Sequence, residues 1–171
     1  MKALAPYVIE PLGKQHDRAA FSCGVEALDR YFKQQAGQES RRHVAHCFVA
    51  VPRSETTIGG FYTLSATAVI FDELPGELRK KLPRYPQAPA ALVGRLAVDT
   101  QHRGKRLGEL LLFDAMHRTL RADLAAALLV VDAKTEEAAN FYRSYDFLDI
   151  GPGRNRLYLP IAEIAKIFHG K

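Results

Sequence analysis

The chain has 171 residues, 47% hydrophobic and 25% charged, with 12 Gly, 9 Pro and no Trp, which suits one compact folded domain, argues against two separate cores and shows no low-complexity tract. A chain of this length buries roughly 70% of its unfolded surface, so it needs no staple; Cys23 and Cys47 therefore read as reduced thiols, Met1–Pro6 lacks the apolar stretch of a signal peptide, and no run approaches the ~20 residues of a membrane span, so a cytoplasmic protein is expected. The net charge of +5 points to an anionic partner, and the excess is local: residues 79–106 hold Arg79, Lys80, Lys81, Arg84, Arg95, Arg103, Lys105 and Arg106 against the single acid Asp99.

In chain order, a short strand fits Tyr7 to Leu12. Val25, Leu28, Phe32 and Ala36 then recur at helical spacing in a segment running to about Arg42. Cys47 to Val51 is a short apolar strand ending at Pro52, and Ile58 to Phe71 is rich in β-branched and aromatic residues. The polar link Arg53 to Thr57 joins the two as a hairpin. Pro75 suits the first turn of a short basic helix, Gly76 to Leu82. Pro83, Pro86 and Pro89 are then expected to forbid regular structure until Ala91. Ala91 to Asp99 reads as a strand, Gly104 to Arg121 as a helix, Ala126 to Ala133 as a strand and Thr135 to Ser144 as a helix. Phe147 to Ile150 and Arg156 to Leu159 are further strands, and Ile161 to Phe168 is an amphipathic closing helix with core packing as its default role. The order predicts an α/β fold, one domain over residues 1–171 with a mixed sheet covered by helices. Leu128–Val131 is apolar without interruption, as in a strand covered on both faces.

Two stretches carry chemistry. Val98 to Leu110 joins a strand to a long helix through a basic loop containing Gly104, with Gly108 in the helix start. Unpaired N–H groups and the helix dipole suit such a place to a phosphate or pyrophosphate. It is neither a Walker loop nor a dinucleotide fingerprint. The bland alternative is an ordinary helix start with a solvated basic face. The second stretch, Asn140 to Phe147, places Tyr142 among Phe141, Tyr145 and Phe147, where it is either core or a proton donor in a cleft. His43, His46 and Cys47 lack a second ligand pair, so no metal is expected.

The loop Arg103–Gly108 and the downstream Asn140, Phe141 and Tyr142 resemble the GNAT superfamily of acetyl-CoA-dependent N-acetyltransferases. Arg106 stands where that family's loop has its middle glycine, and a negative φ is expected there. Phe21–Tyr31, Val93–Asp99, Val131–Lys134, Asn140–Tyr142 and Leu157–Pro160 are similar to the TacT-type GNAT toxins of toxin–antitoxin systems. The resemblance implies a GNAT fold, a central mostly antiparallel twisted sheet with flanking helices, and acetylation of the α-amino group of aminoacyl-tRNA, which blocks translation. It also implies a ribbon-helix-helix antitoxin and a homodimer. By the same resemblance Leu96, Ala97 and Val98 meet the pantetheine arm of acetyl-CoA, and Arg103, Gly104, Lys105, Arg106, Leu107 and Gly108 its pyrophosphate. Asn140 and Phe141 also contact the cofactor, and Tyr142 gives a proton to the departing thiolate. Arg79, Lys80, Lys81, Arg84 and Arg95, with Arg41 and Arg42, are left for tRNA phosphates. Asp99 and Asp132 read as caps or local acceptors, because an α-amine of pKa near ~8 needs no strong base. The alternatives are a GNAT enzyme for a small amine or a protein lysine, and an inactive GNAT that serves only in a repressor complex.

Overall fold

The computed structural model describes residues 6–150 and 155–170; most of the Met1–Pro6 stretch lies outside them. The strands are β1 (Tyr7–Pro11), β2 (His46–Pro52), β3 (Gly60–Ile70), β4 (Gln87–Val98), β5 (Leu128–Asp132), β6 (Leu148–Asp149) and β7 (Arg156–Pro160). The helices are α1 (Glu26–Gln34), α2 (Ala36–Arg41), α3 (Gly76–Arg79), α4 (Leu107–Arg121), α5 (Glu136–Arg143) and α6 (Ile161–His169). A seven-stranded sheet has the order β1-β2-β3-β4-β5-β7-β6; β4 and β5 are parallel, while β1–β2, β2–β3, β5–β7 and β6–β7 are antiparallel. The expected mixed, mostly antiparallel α/β sheet is what forms. The chain divides into two compact units, one of the described residues up to Ser65 with Gly94–Ala115, the other of Ala66–Val93 with Met116 onward.

In the first unit the polar link at residues 53–57 closes the β2–β3 hairpin in the register His46↔Leu64 to Ala50↔Gly60. Its core centres on three phenylalanines: Phe32 stacks on Phe61 at 4.2 Å, and Phe21 meets both edge-on at 4.8 and 5.5 Å. Each such pair is worth about 0.5–1.5 kcal/mol beyond its buried area. The single helix expected from Val25 to Arg42 is instead broken at Gln35, whose φ is −118°. The Phe32 carbonyl, at the break, takes a hydrogen bond from Arg18 Nη1 at 2.8 Å, and the turn keeps both Phe32 and Ala36 fully buried. Gly60 lets β3 approach β4: a Cβ there would meet the Ala97 carbonyl oxygen and Leu111 Cδ1, both at 2.9 Å. Gly60→Ala is therefore expected to cost about 1–3 kcal/mol of stability by overpacking, seen as a lower denaturant midpoint at unchanged slope.

In the second unit all four residues Leu128–Val131 are fully buried, as the uninterrupted apolar run required. Regular structure resumes at Gln87, four residues earlier than the prolines suggested, and Pro89 lies inside β4. A proline harms a strand only where its absent N–H was needed, and its fixed φ suits extended backbone; here the Pro89 carbonyl accepts from Ala127 N–H at 2.8 Å. Helix α3 stops at Arg79 rather than Leu82, and Pro75 is its N-cap; Pro83 disfavours helical backbone at the residue before it. Helix α5 is capped by Thr135, whose Oγ1 accepts from Ala138 N–H at 3.1 Å, with Glu136 and Glu137 in the first turn complementing the helix dipole.

Candidate functional site

Within the first unit, β4 runs into a loop pinned at both ends. Asp99, almost fully buried, accepts from Gln101 N–H at 2.9 Å and from Ser22 N–H at 3.0 Å. This is the cap and local acceptor role expected of it. His102 is buried with its Nδ1 2.7 Å from Tyr7 Oη, and Leu107, the first residue of α4, is buried as well. Between these anchors Arg103, Gly104, Lys105 and Arg106 are exposed. Gly104 has φ +78° and open space where a Cβ would be, so a ligand can approach its backbone closely.

Arg106 has φ +59°, which overturns the expected negative value. The position adopts the left-handed backbone that glycine takes freely, at a cost of about 1–2 kcal/mol for a residue with a Cβ. Its guanidinium turns onto Glu109, with Nε 2.9 Å and Nη2 2.5 Å from Oε2. Arg106 immediately precedes α4 and Glu109 sits in its first turn, where backbone N–H groups have no intrahelical acceptor. Arg106→Gly is expected to leave stability within about 1 kcal/mol, since relief of strain offsets glycine's entropy, whereas Arg106→Val, β-branched at positive φ, lowers it by more. Thermal melts of the two variants check this.

Arg103 Nη2 donates to the Cys23 carbonyl at 2.7 Å, holding the turn at Gly24, whose φ is +88°. One loop cation is thus engaged with its own unit and another with Glu109, while Lys105 is exposed. Pairing of β4 with β5 runs from Ala90↔Leu128 to Val93↔Val131; Leu96, Ala97 and Val98 lie beyond it on the same strand. Ala97 faces the phenylalanine core, so the alternation of a strand puts Leu96 and Val98 on the other face.

Within the second unit, Tyr142 is 4% exposed. Its ring lies 5.3 Å from that of Phe141 and 5.6 Å from that of Phe147, and Tyr145 packs on Phe141 at 5.2 Å, the aromatic surround the sequence anticipated. Burial, and secondarily the charge of Asp132, push the Tyr142 phenol well above its ordinary value. Asp132 is itself paired with Arg156 Nε at 2.9 Å, consistent with a local acceptor. The exposed Asn140 accepts from Arg143 Nη1 at 2.8 Å, in a cluster where Arg143 also binds Glu136 and Asp149.

Within the second unit the basic residues line two different depressions. Arg79, Lys80 and Arg84 line a groove of about 830 Å³ with Phe71, Asp72 and Tyr85. Lys81 lines a different, more apolar depression of about 720 Å³, near Glu77 and Glu163. Arg95 lies over the Tyr31 ring, 3.5 Å from its centroid, and its backbone N–H donates to the buried Thr63 Oγ1 at 3.1 Å. Arg41 and Arg42 are exposed at the end of α2. Tyr85 was not singled out by sequence, although its place between Pro83 and Pro86 in a basic run was the available signal. The free thiols of Cys23 and Cys47 are buried, and burial pushes them up to about 11 and about 12, so neither is a ready nucleophile. Among the described residues no group of three or more His, Cys, Asp or Glu is gathered to hold a metal ion, and no helix is long and apolar enough to cross a membrane.

Residues 43–148 match the family model described as an acetyltransferase (GNAT) domain. The chain is similar to the probable toxin TacT of Sinorhizobium fredii, at 30% identity over 95% of this chain and 96% of that protein. It is 33% identical to a tRNA-acetylating toxin of Mycobacterium tuberculosis over 80% of each chain. Among solved structures, a tyrosine-to-phenylalanine mutant of KacT superposes with a TM-score of 0.89 at 27% identity, covering 96% of this chain and 100% of that one. AtaT complexed with acetyl-methionyl-tRNAfMet gives 0.86 at 30%, covering 95% and 99%. A tyrosine-to-phenylalanine mutant of AtaT, bound to the C-terminus of the antitoxin AtaR and to acetyl-CoA, gives 0.80 at 25%, covering 96% and 99%.

Proposed function

Since the chain belongs to the GNAT acetyltransferase family, we propose that it works as a single acetyltransferase domain on the α-amino group of aminoacyl-tRNA, thereby blocking translation. The observation that supports the reading is an exposed basic loop opened by Gly104 before α4, in a chain that also buries Tyr142 among aromatic rings. The relatives named for tRNA acetylation and the AtaT complex with an acetylated aminoacyl-tRNA support it.

The residues present fit acetyl-CoA, because Gly104 leaves its backbone open to close approach and the start of α4, beside Lys105, presents backbone N–H groups with no intrahelical acceptor. In this reading Arg103, Gly104, Lys105, Arg106, Leu107 and Gly108 hold the pyrophosphate, the first and fourth by shaping the loop as much as by charge. The backbone of Leu96, Ala97 and Val98 takes the pantetheine arm, and Asn140 and Phe141 complete the cofactor contacts. Acetyl-CoA, when bound, supplies the acetyl group as a thioester.

Tyr142 Oη holds a proton for the leaving sulfur. Its raised pKa keeps that proton in place throughout the working range. The same shift makes the phenol a weak acid, so it acts by hydrogen-bonding the sulfur as negative charge develops and transferring the proton late. The attacking amine, with a pKa near ~8, is partly neutral at pH 7, and Asp99 and Asp132 are left to their structural bonds.

Phosphates of the tRNA are taken by Arg79, Lys80 and Arg84, with Lys81, Arg95, Arg41 and Arg42 as outlying contributors. By the same likeness the toxin acts in the cytoplasm as a homodimer, and a ribbon-helix-helix antitoxin neutralises it; the antitoxin-bound AtaT supports an antitoxin partner. The test is acetyl transfer to purified charged tRNA beside a panel of polyamines and lysine peptides. Transfer to charged tRNA that fades steeply with added salt is expected, and transfer to the amines alone would replace this reading with that of a small-amine or lysine acetyltransferase.

A further inference from the structure

The groove that carries Arg79, Lys80 and Arg84 also presents Tyr85, which is 68% exposed. An exposed ring alone is ordinary, but this one stands in the same groove as three cations. The backbone beneath it is held on both sides. Pro83 and Pro86 flank the dipeptide, Tyr85 N–H donates to the Pro83 carbonyl at 3.0 Å, and the Pro86 carbonyl accepts from Phe71 N–H at 3.0 Å. A residue before proline is confined to extended backbone, so the ring is offered from a stiff support and loses little entropy on binding. Phe71, half-buried, forms an apolar floor, and Asp72 is the one carboxylate among the groove's lining side chains.

Three cations and an exposed aromatic ring in one groove are the combination that takes single-stranded nucleic acid: the cations follow the phosphates and the ring stacks on an unpaired base. A duplex hides its base faces and would use only the cations. Asp72 disfavours a phosphate at its own position, while its oxygens accept from a ribose hydroxyl or a base amino group. We propose that the Phe71–Pro86 groove binds an unpaired segment of RNA and that Tyr85 stacks on one of its bases. This deepens the aminoacyl-tRNA reading and rests on it for the identity of the RNA, whose unpaired end bears the amino acid.

The chain contains no tryptophan, so Tyr85→Trp gives the protein a single indole emitter in the groove. A short unpaired RNA oligonucleotide is expected to quench that emission on saturation, and a blunt RNA duplex of equal charge is expected to bind without quenching. Tyr85→Ala should weaken binding of the unpaired RNA by about tenfold at every salt concentration, with an unchanged slope of log affinity against log salt, and Tyr85→Phe should restore it. Unquenched emission at saturation, equal quenching by the duplex, or parental affinity in Tyr85→Ala would each overturn the proposal. Acetylation of charged tRNA by the parent protein is measured in parallel: its absence alongside quenching removes the enzyme reading and leaves the groove, and the reverse result removes only the groove.

Discussion

Tyr142→Phe is expected to lower the turnover of acetyl transfer by about 10²–10⁴-fold, the range for losing a positioned proton donor, while acetyl-CoA binding stays within a few-fold of the parent. The substitution removes one oxygen and keeps the ring that packs against Phe141 and Phe147, so the fold has no cause to change. Calorimetry with acetyl-CoA and single-turnover kinetics separate the two effects. The pH dependence follows from the same residue. Below about pH 8 the rate falls as the α-amine becomes protonated. Because burial and Asp132 both raise the phenol's pKa, the enzyme keeps its donor protonated as pH rises, and no alkaline limb appears up to about pH 9. A descending limb in that interval would place the essential proton on another group. Parental turnover in Tyr142→Phe would reduce the tyrosine to an element of core.

Replacing Arg79, Lys80 and Arg84 together by Gln is expected to have the second largest effect. Every cation that neutralises a phosphate adds roughly 0.7–0.9 to the slope of log affinity against log salt, so the triple variant should lose about two to three units of slope. At physiological salt this corresponds to a loss on the order of a hundredfold in affinity for charged tRNA. The three side chains line one groove and none belongs to the loop 103–108 assigned to the cofactor, so acetyl-CoA affinity should not move. Lys81→Gln provides the contrast. Its side chain lies in the other depression with Glu77 and Glu163, and it should change the slope less than any one of the three. Equal effects from Lys81 would mean that charge density alone, rather than the groove, recruits the RNA.

The elements that announced themselves were those whose pattern matched their burial. The apolar run Leu128–Val131 was read as a strand covered on both faces and is fully buried, and the helix read from Thr135 starts at Glu136 with Thr135 as its cap. The exposed basic loop at Arg103–Gly108 and the aromatic cluster around Tyr142 were also legible, because both are local patterns. What escaped depended on partners distant in sequence. Arg18 reaches the Phe32 carbonyl at the helix break by Gln35, and nothing near Gln35 announces it. Pro89 looked like a barrier because the direction in which its carbonyl would be used was unknown. Arg106 has φ +59°, a left-handed backbone at a residue with a Cβ; residue identity is a poor guide to geometry there. The basic residues between Arg79 and Arg84 are close in sequence and divided in space, because Lys81 lines a different depression from Arg79, Lys80 and Arg84.

The central claim is that the acceptor is the α-amine of an amino acid esterified to tRNA. It is tested most directly by treating charged tRNA with the protein and acetyl-CoA, digesting with nuclease and weighing the released aminoacyl-adenosine. Gain of one acetyl group on the amino acid, absent with Tyr142→Phe and absent when the amine is already blocked, is the predicted result. An unmodified aminoacyl-adenosine at low salt, from a protein that hydrolyses acetyl-CoA or transfers its acetyl group to other amines, would contradict it.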